Sequence, residues 1–187
     1  MAEQSHPAVK QIEIVAYDVH WPHYYEQERE TIFSLSNGQL LKIEHIGSTA
    51  ILGQEAKPVI DMMGAVECLQ QIDDFLADLA AIGYQLTETG MRNRLFLVKA
   101  AMESEPTYHL HLVELHSWEG RKERMLRDYL LTHPEAVKAY SELKRKLAEL
   151  YPCDTLAYTK AKTSFVQSVI DQVCDERGLP RMDVWEE

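Results

Sequence analysis

Residues 43–66 read IEHIGSTAILGQEAKPVIDMMGAV, in which two apolar runs enclose a Gly-Ser turn. The run around this turn predicts two largely buried strands, Leu40 to Ile46 and Val59 to Val66. The second strand carries one acid, Asp61, in its middle. A buried carboxylate is usually paired, hydrogen-bonded or bound to a metal. Lys57, the backbone of the turn, or a divalent cation can each serve Asp61, and the sequence leaves that choice open.

The rest of the chain mixes short strands with helices. A short edge strand is expected at Gln11 to Tyr17, and a helix with Pro22 in its first turn follows, ending near Ser36. After the strand pair comes a helix stopped by Gly83. Three further strands are expected, the last two forming a hairpin across the connection 101–107: Tyr84 to Thr87, Leu95 to Ala100 and Tyr108 to Leu115. Three helices complete the chain, and Pro134 and Pro152 separate them. The fold class is therefore α/β (α+β), a mixed sheet flanked by helices with a C-terminal three-helix segment.

Length and composition bound the organisation. At 187 residues and 45% hydrophobic content the chain can bury the core of one domain. We expect that domain at 9–175, with a sheet-containing part at about 9–116, a helical part at about 118–175 and a loose tail at 177–187. No apolar run approaches the roughly 20 residues of a membrane helix, and the first residues lack the pattern of a signal peptide. The expected location is cytoplasmic, with no membrane partner.

Charge and cysteine content exclude some classes of partner. The formal net charge is −11, which opposes binding to long DNA or RNA. A small anionic ligand remains compatible, since local cations outweigh distant charges that are screened beyond about 8 Å. The three cysteines are Cys68, Cys153 and Cys174. Their wide spacing argues against a disulfide framework or a structural zinc site.

Four sequence blocks carry a family resemblance. They are YDVHWPHYYEQE near the start, the stretch of residues 43–66, YHLHLVE in the middle, and FVQSVI after YTKAK. In this order, from about Val15 to Val173, the chain resembles the GrpB family. That family looks like the nucleotidyltransferase superfamily that includes DNA polymerase beta, whose enzymes pair a Gly-Ser turn with two acids one residue apart and a third acid on a neighbouring strand. Here Gly47, Ser48 and Asp61 match, and Met63 stands in place of the second acid.

The neighbouring strand offers His109 and His111 instead of a carboxylate. These histidines share one strand face at about 6 to 7 Å, and imidazole suits Zn²⁺ or Mn²⁺ better than Mg²⁺. Asp61, His109 and His111 are the predicted catalytic and metal-binding residues, and His45 is a further metal candidate. The predicted cofactor is a divalent metal, Mg²⁺ or Mn²⁺, or else Zn²⁺. The alternative is that the two strand histidines bond phosphates or neighbouring side chains, and that His45 bonds the backbone.

The predicted phosphate site centres on the turn. Gly47 permits close approach of the backbone, and Ser48 and Thr49 offer hydroxyls and amides to phosphate oxygens. Cations come from residues in or beside the family-like blocks, with Arg94 the preferred bidentate clamp and Lys57, Arg92 and Lys162 as further candidates. Tyr158 lies four residues before Lys162, so a base stacked on Tyr158 with Lys162 on a phosphate is one hypothesis. The other is a core tyrosine beside a snorkelling lysine.

These residues predict a metal-dependent nucleotidyltransferase, or a nucleotide- or phosphate-binding protein, acting on a small phosphorylated ligand. The absence of the full carboxylate set supports a rival hypothesis, a catalytically inactive ligand- or protein-binding module on the same fold. A third hypothesis is a His/Asp metallohydrolase.

Overall fold

The structure, a computed structural model, describes residues 11–100 and 105–185. Its centre is a five-stranded sheet in the order β1-β2-β5-β4-β3. The strands are β1 Leu40–Ile46, β2 Val59–Val66, β3 Gln85–Leu86, β4 Leu95–Lys99 and β5 Thr107–Glu114. Strands β2 and β5 are parallel, whereas the other neighbours are antiparallel. The predicted mixed sheet and the β4–β5 hairpin are therefore confirmed, and residues 101–104 of the hairpin connection lie outside the described residues.

Helices flank this sheet, as the sequence predicts. They are α1 Trp21–Leu35, α2 Asp73–Ala81, α3 Lys122–Thr132, α4 Pro134–Leu150, α5 Thr155–Ala161 and α6 Thr163–Arg177. Prolines in the first turn begin α1 and α4, because the fixed φ of proline suits that position and its missing N–H has no helical partner to lose. None of the helices within the described ranges has the length and apolar content that a membrane crossing requires.

The two faces of the sheet have different roles. Helices α1 and α2 cover one face, where Ile60, Met62 and Leu110 join the largest buried apolar cluster. On the opposite face, strands β2 and β5 are paired in parallel so that Asp61 stands beside His109 and Met63 beside His111. Paired residues of neighbouring strands project to the same side. The sheet therefore places Asp61, His109 and His111 on one face, which the C-terminal helices cover.

Two local predictions need correction. The expected strand at Gln11 to Tyr17 is reduced to a single bridge between Val15 and Ala56. Four C-terminal helices are present in place of three, because α5 forms a separate short helix. Its first turn is capped by the Asp154 carboxylate, which accepts a bond from the backbone amide of Ala157 at 2.9 Å.

The segment 178–185 also differs from the predicted loose tail. Gly178, with φ +64°, ends α6 and turns the chain back along it. The Gln167 amide donates to the carbonyl of Met182 at 2.8 Å and accepts from the amide of Val184 at 3.0 Å. The Val184 side chain is buried against α3 and α6. Residues 186–187 of the predicted tail and residues 9–10 of the predicted domain lie outside the described residues.

Candidate functional site

The Gly-Ser turn lies directly against Asp61. Gly47 has φ +69°, and a Cβ atom built on it would lie 2.4 Å from Oδ2 of Asp61. An alanine here would be strained by its backbone and would also displace the carboxylate. The turn is therefore built around glycine so that backbone and carboxylate can be in contact.

Thr49 and His45 support the Gly-Ser turn through hydrogen bonds. The Thr49 side chain is buried, and its hydroxyl donates to the carbonyl of Val59 at 2.8 Å and lies 2.9 Å from Nε2 of His45. The His45 ring stacks on Tyr25 at 4.8 Å between ring centres. Burial lowers the pKa of His45 to about 4, so the ring is neutral at pH 7. Both groups therefore bond inside the protein, and the roles of the Thr49 hydroxyl on phosphate and of His45 on metal stay predictions.

Asp61 and His109 form a hydrogen-bonded pair. Oδ1 of Asp61 lies 2.9 Å from Nδ1 of His109, and both side chains remain about one-quarter exposed, at 28% and 26%. Burial on its own would raise the pKa of Asp61. The hydrogen bond to His109 is the main effect that lowers that pKa below its usual range, and Lys57 contributes in the same direction. Asp61 is therefore a carboxylate at neutral pH.

Arg94 is held by the protein and does not face an open site. Its Nη1 donates to Oε1 of Glu123 at 2.8 Å and lies 3.3 Å from Nδ1 of His111. Arg94 is only 7% exposed. This geometry gives the prediction that Arg94 clamps phosphate no support. Glu123 was not among the predicted site residues.

The predicted metal centre does not fit this arrangement. His111 turns Nδ1 toward a guanidinium, and burial, partly offset by the Glu123 charge and reinforced by that of Arg94, lowers its pKa to about 4. Nδ1 of His109 is already bonded to Asp61. Over the described ranges, no three His, Cys, Asp or Glu side chains converge in a way that would hold a metal ion. The cation beside His111 opposes a second cation there, so the geometry gives the metal prediction no support.

Three lysines converge near the turn and Asp61. Lys144 donates to the Ser48 hydroxyl at 2.9 Å and to the carbonyl of Glu55. Burial lowers the pKa of Lys144 to about 7 and that of Lys162 to about 8, and it also lowers the pKa of Lys57. The carboxylate of Asp61 partly offsets each shift. Lys57 and Lys162 were predicted here, whereas Lys144, which is 2% exposed, was not among the predicted site residues.

The ring of Tyr158 contacts two of these lysines. The tyrosine is 1% exposed, and the ammonium groups of Lys57 and Lys162 lie 5.3 and 4.5 Å from its ring centre. Such distances are typical of cation–π contacts. A base cannot reach a ring that is enclosed in this way, so the stacking hypothesis for Tyr158 is corrected in favour of a core tyrosine that positions lysines.

Met63 belongs to the core. It is fully buried and packs with Ile46, Ala65, Val113 and Trp118. The position that corresponds to the second acid of the resembled superfamily therefore contributes packing, as its side chain has no access to a ligand.

A cleft of about 430 Å³ opens beside the lysines. Lys162, Tyr140 and Glu123 lie on its inner wall. The Lys144 ammonium is 4.7 Å from the ring centre of Tyr140, which connects this wall to the Gly-Ser turn. We call this space the cleft, and its volume is within the usual range for small-molecule sites.

Comparison with known proteins identifies a related family. Residues 11–172 match the family model described as GrpB protein. The chain is 32% identical over 164 residues to the glutamate-rich protein GrpB of Alkalihalophilus pseudofirmus, covering 86% of this chain and 94% of that protein. It is 29% identical over 160 residues to the UPF0157 protein YqkA of Bacillus subtilis, covering 85% of this chain. The chain spans only 46% of the length of YqkA.

Solved structures give a similar result. The conserved protein GrpB from Enterococcus faecalis has a TM-score of 0.79 at 27% identity, covering 89% of this chain and 99% of that chain. Terminal uridylyl transferase 4 from Trypanosoma brucei with bound CTP has a TM-score of 0.48 at 12% identity, covering 87% of this chain and 55% of that chain. The second likeness is too low to carry an argument about activity.

Proposed function

This chain belongs to the GrpB family, and from that premise we propose that it binds a small phosphorylated ligand whose phosphates lie between the Gly-Ser turn and the three lysines. The observation that carries the proposal is a local excess of positive charge. The buried Lys144 and the half-buried Lys57 and Lys162 lie close to one carboxylate, Asp61, and Glu55 is a second acid near Lys144.

Buried cations are costly unless an anion compensates them. Among the side chains that the structure describes, Lys57 and Lys162 have no ion pair within 4.0 Å, and their nearest aromatic partner is the same ring, Tyr158. A phosphate group would restore the charge balance and raise the lowered lysine pKa values. A dianionic or polyanionic ligand fits this requirement better than a carboxylate, because it brings more than one negative charge.

The turn adds polar groups that suit phosphate. The Ser48 hydroxyl accepts a hydrogen bond from Lys144, so the two groups can bind the same phosphate. Nucleotidyl transfer is the chemistry that the family resemblance implies. We favour ligand binding over transfer, because Met63 is in the core and one carboxylate cannot supply the usual set of acidic ligands.

The test is binding of tripolyphosphate and of ATP by isothermal titration calorimetry, with and without EDTA. We expect both probes to bind, and we expect Lys144→Met and Lys162→Met to weaken binding by at least ten-fold, about 1.4 kcal/mol. Lys146→Met is the matched control, since Lys146 is exposed on the same helix and its loss changes the net charge equally. Equal affinities in all four proteins, or no binding by the wild type, would reject the proposed site. Incubation with nucleoside triphosphates and Mg²⁺ or Mn²⁺ then tests for a transfer product.

A further inference from the structure

We propose that the cleft receives the aromatic ring of the ligand, with Trp185 as the stacking surface, so that the ligand is a nucleoside phosphate. This inference rests on the proposed phosphate site. It adds a second subsite and assigns a specificity role to the C-terminal segment 178–185.

The cleft and the phosphate site share one cation. Lys162 lines the cleft, and its pKa is lowered by burial and by the charge of Lys57, which Asp61 partly offsets. Tyr140 also lines the cleft and contacts Lys144. A ligand whose phosphate contacts Lys162 therefore has the cleft beside it for its organic part.

Part of the cleft lining is apolar. Met91, Leu156, Val166 and Val184 contribute to it together with Trp185. Trp185 is 50% exposed, whereas Trp21 and Trp118 are 2% and 1% exposed. A half-exposed indole in a cleft with both apolar and charged lining is a suitable stacking surface for a nucleoside, since every base has a π-face that tolerates an aromatic neighbour.

The segment that carries Trp185 is held in a fixed position. Lys122 donates to the carbonyl of Val184 at 2.5 Å, and Gln167 bonds to the backbone at Met182 and at Val184. The Lys160 ammonium lies 5.9 Å from the centre of the Trp185 ring. The wall is therefore preorganised, and a ring that stacks there does not have to order a free chain end.

Val184 and Trp185 lie outside the part of the chain that the family model matches, which ends at residue 172, whereas Met91, Leu156 and Val166 lie within it. The phosphate site, by contrast, lies entirely within residues 11–172. The positions of the two subsites indicate a division of roles, with the family-wide region binding phosphate and the C-terminal segment selecting the organic group.

The test compares ATP with tripolyphosphate, which has the phosphates but no ring, on wild-type protein, Trp185→Ala and Trp185→Phe. We expect ATP to bind the wild type about ten-fold more tightly than tripolyphosphate does. Trp185→Ala should bind ATP no more tightly than tripolyphosphate, with its affinity for tripolyphosphate unchanged. Trp185→Phe should keep most of the tighter binding of ATP. ATP should also quench the exposed tryptophan emission of the wild type and not that of Trp185→Phe.

The outcomes separate this inference from the proposed function. Binding of tripolyphosphate without any gain for ATP overturns the aromatic subsite and leaves the phosphate site standing. An ATP advantage that survives in Trp185→Ala also overturns it. If neither probe binds the wild type, the phosphate site fails and the subsite fails with it. A thermal unfolding scan confirms that each variant is folded before its affinity is compared.

Discussion

Replacing Lys144 by Met should change how the stability of the ligand-free protein depends on pH. Burial lowers the pKa of Lys144 from 10.5 to about 7. Between these values the unfolded chain binds more protons than the folded chain, so the free energy of unfolding rises with pH. Below about pH 7 both states are protonated, and the full cost of the buried charge is present. For Lys144 alone the gain between pH 7 and pH 9 is about 2 kcal/mol.

Urea unfolding followed by circular dichroism at pH 7 and pH 9 measures this gain. The Lys144→Met protein should show a rise smaller than that of the wild type by about 2 kcal/mol. Loss of the bonds to Ser48 and Glu55 shifts the stability of the variant equally at both pH values. The change in stability between pH 7 and pH 9 therefore reports the titration of Lys144 alone. Lys146→Met should behave as the wild type does. Equal slopes for the wild type and Lys144→Met would refute the conclusion that Lys144 is a buried, poorly solvated cation.

Three other perturbations follow from the same contacts. Gly47→Ala should destabilise the protein by at least about 1 kcal/mol more than Gly53→Ala in urea unfolding, because both have positive φ but only Gly47 touches Asp61. Arg94→Gln should lower the free energy of unfolding by about 3 to 5 kcal/mol, because the Glu123 carboxylate loses its cation. The double variant with Glu123→Gln should recover part of that stability. Full additivity in the double-mutant cycle would contradict this. Tripolyphosphate should bind with proton uptake at pH 8, since phosphate raises the lysine pKa values. Calorimetry in two buffers of different ionisation enthalpy measures that uptake, and identical heats would argue against it.

Much of the sheet could be predicted from the sequence because its central strands are buried on both faces. Such strands give apolar runs with sharp ends, and β2 was predicted with the bounds that the structure has. The bounds of β1 were also predicted correctly, but β1 is an edge strand with only Leu40 and Ile46 buried, so the prediction that it is largely buried was wrong. The segment Gln11 to Tyr17 alternates like a strand, but only Ala56 is available to pair with Val15. A strand needs a partner of matching length, and a local pattern carries no information about that partner.

The site residues that lie on the sheet could be predicted from the sequence. Those that lie on the helices could not. Asp61 and His109 are recognisable because an ionisable group is unusual in a buried strand. Glu123 and Lys144 come from α3 and α4, and their contacts with Arg94 and Ser48 span 29 and 96 residues of sequence. No local pattern specifies which charged residue of a helix faces a sheet across such distances.

Lys144 nevertheless carries a signal in the sequence. It follows Tyr140 by four residues and precedes Leu147 by three, so all three lie on the buried stripe of α4. The neighbouring Arg145 and Lys146 lie off that stripe and are exposed. Residues 144–146 read KRK, and this helical periodicity is what distinguishes the lysine at 144 from its two charged neighbours. A lysine in register with an apolar stripe must either extend its ammonium to solvent or meet an internal partner. Because Lys144 meets Ser48 and Glu55 at the Gly-Ser turn, its helical position and its role in the site have the same physical cause.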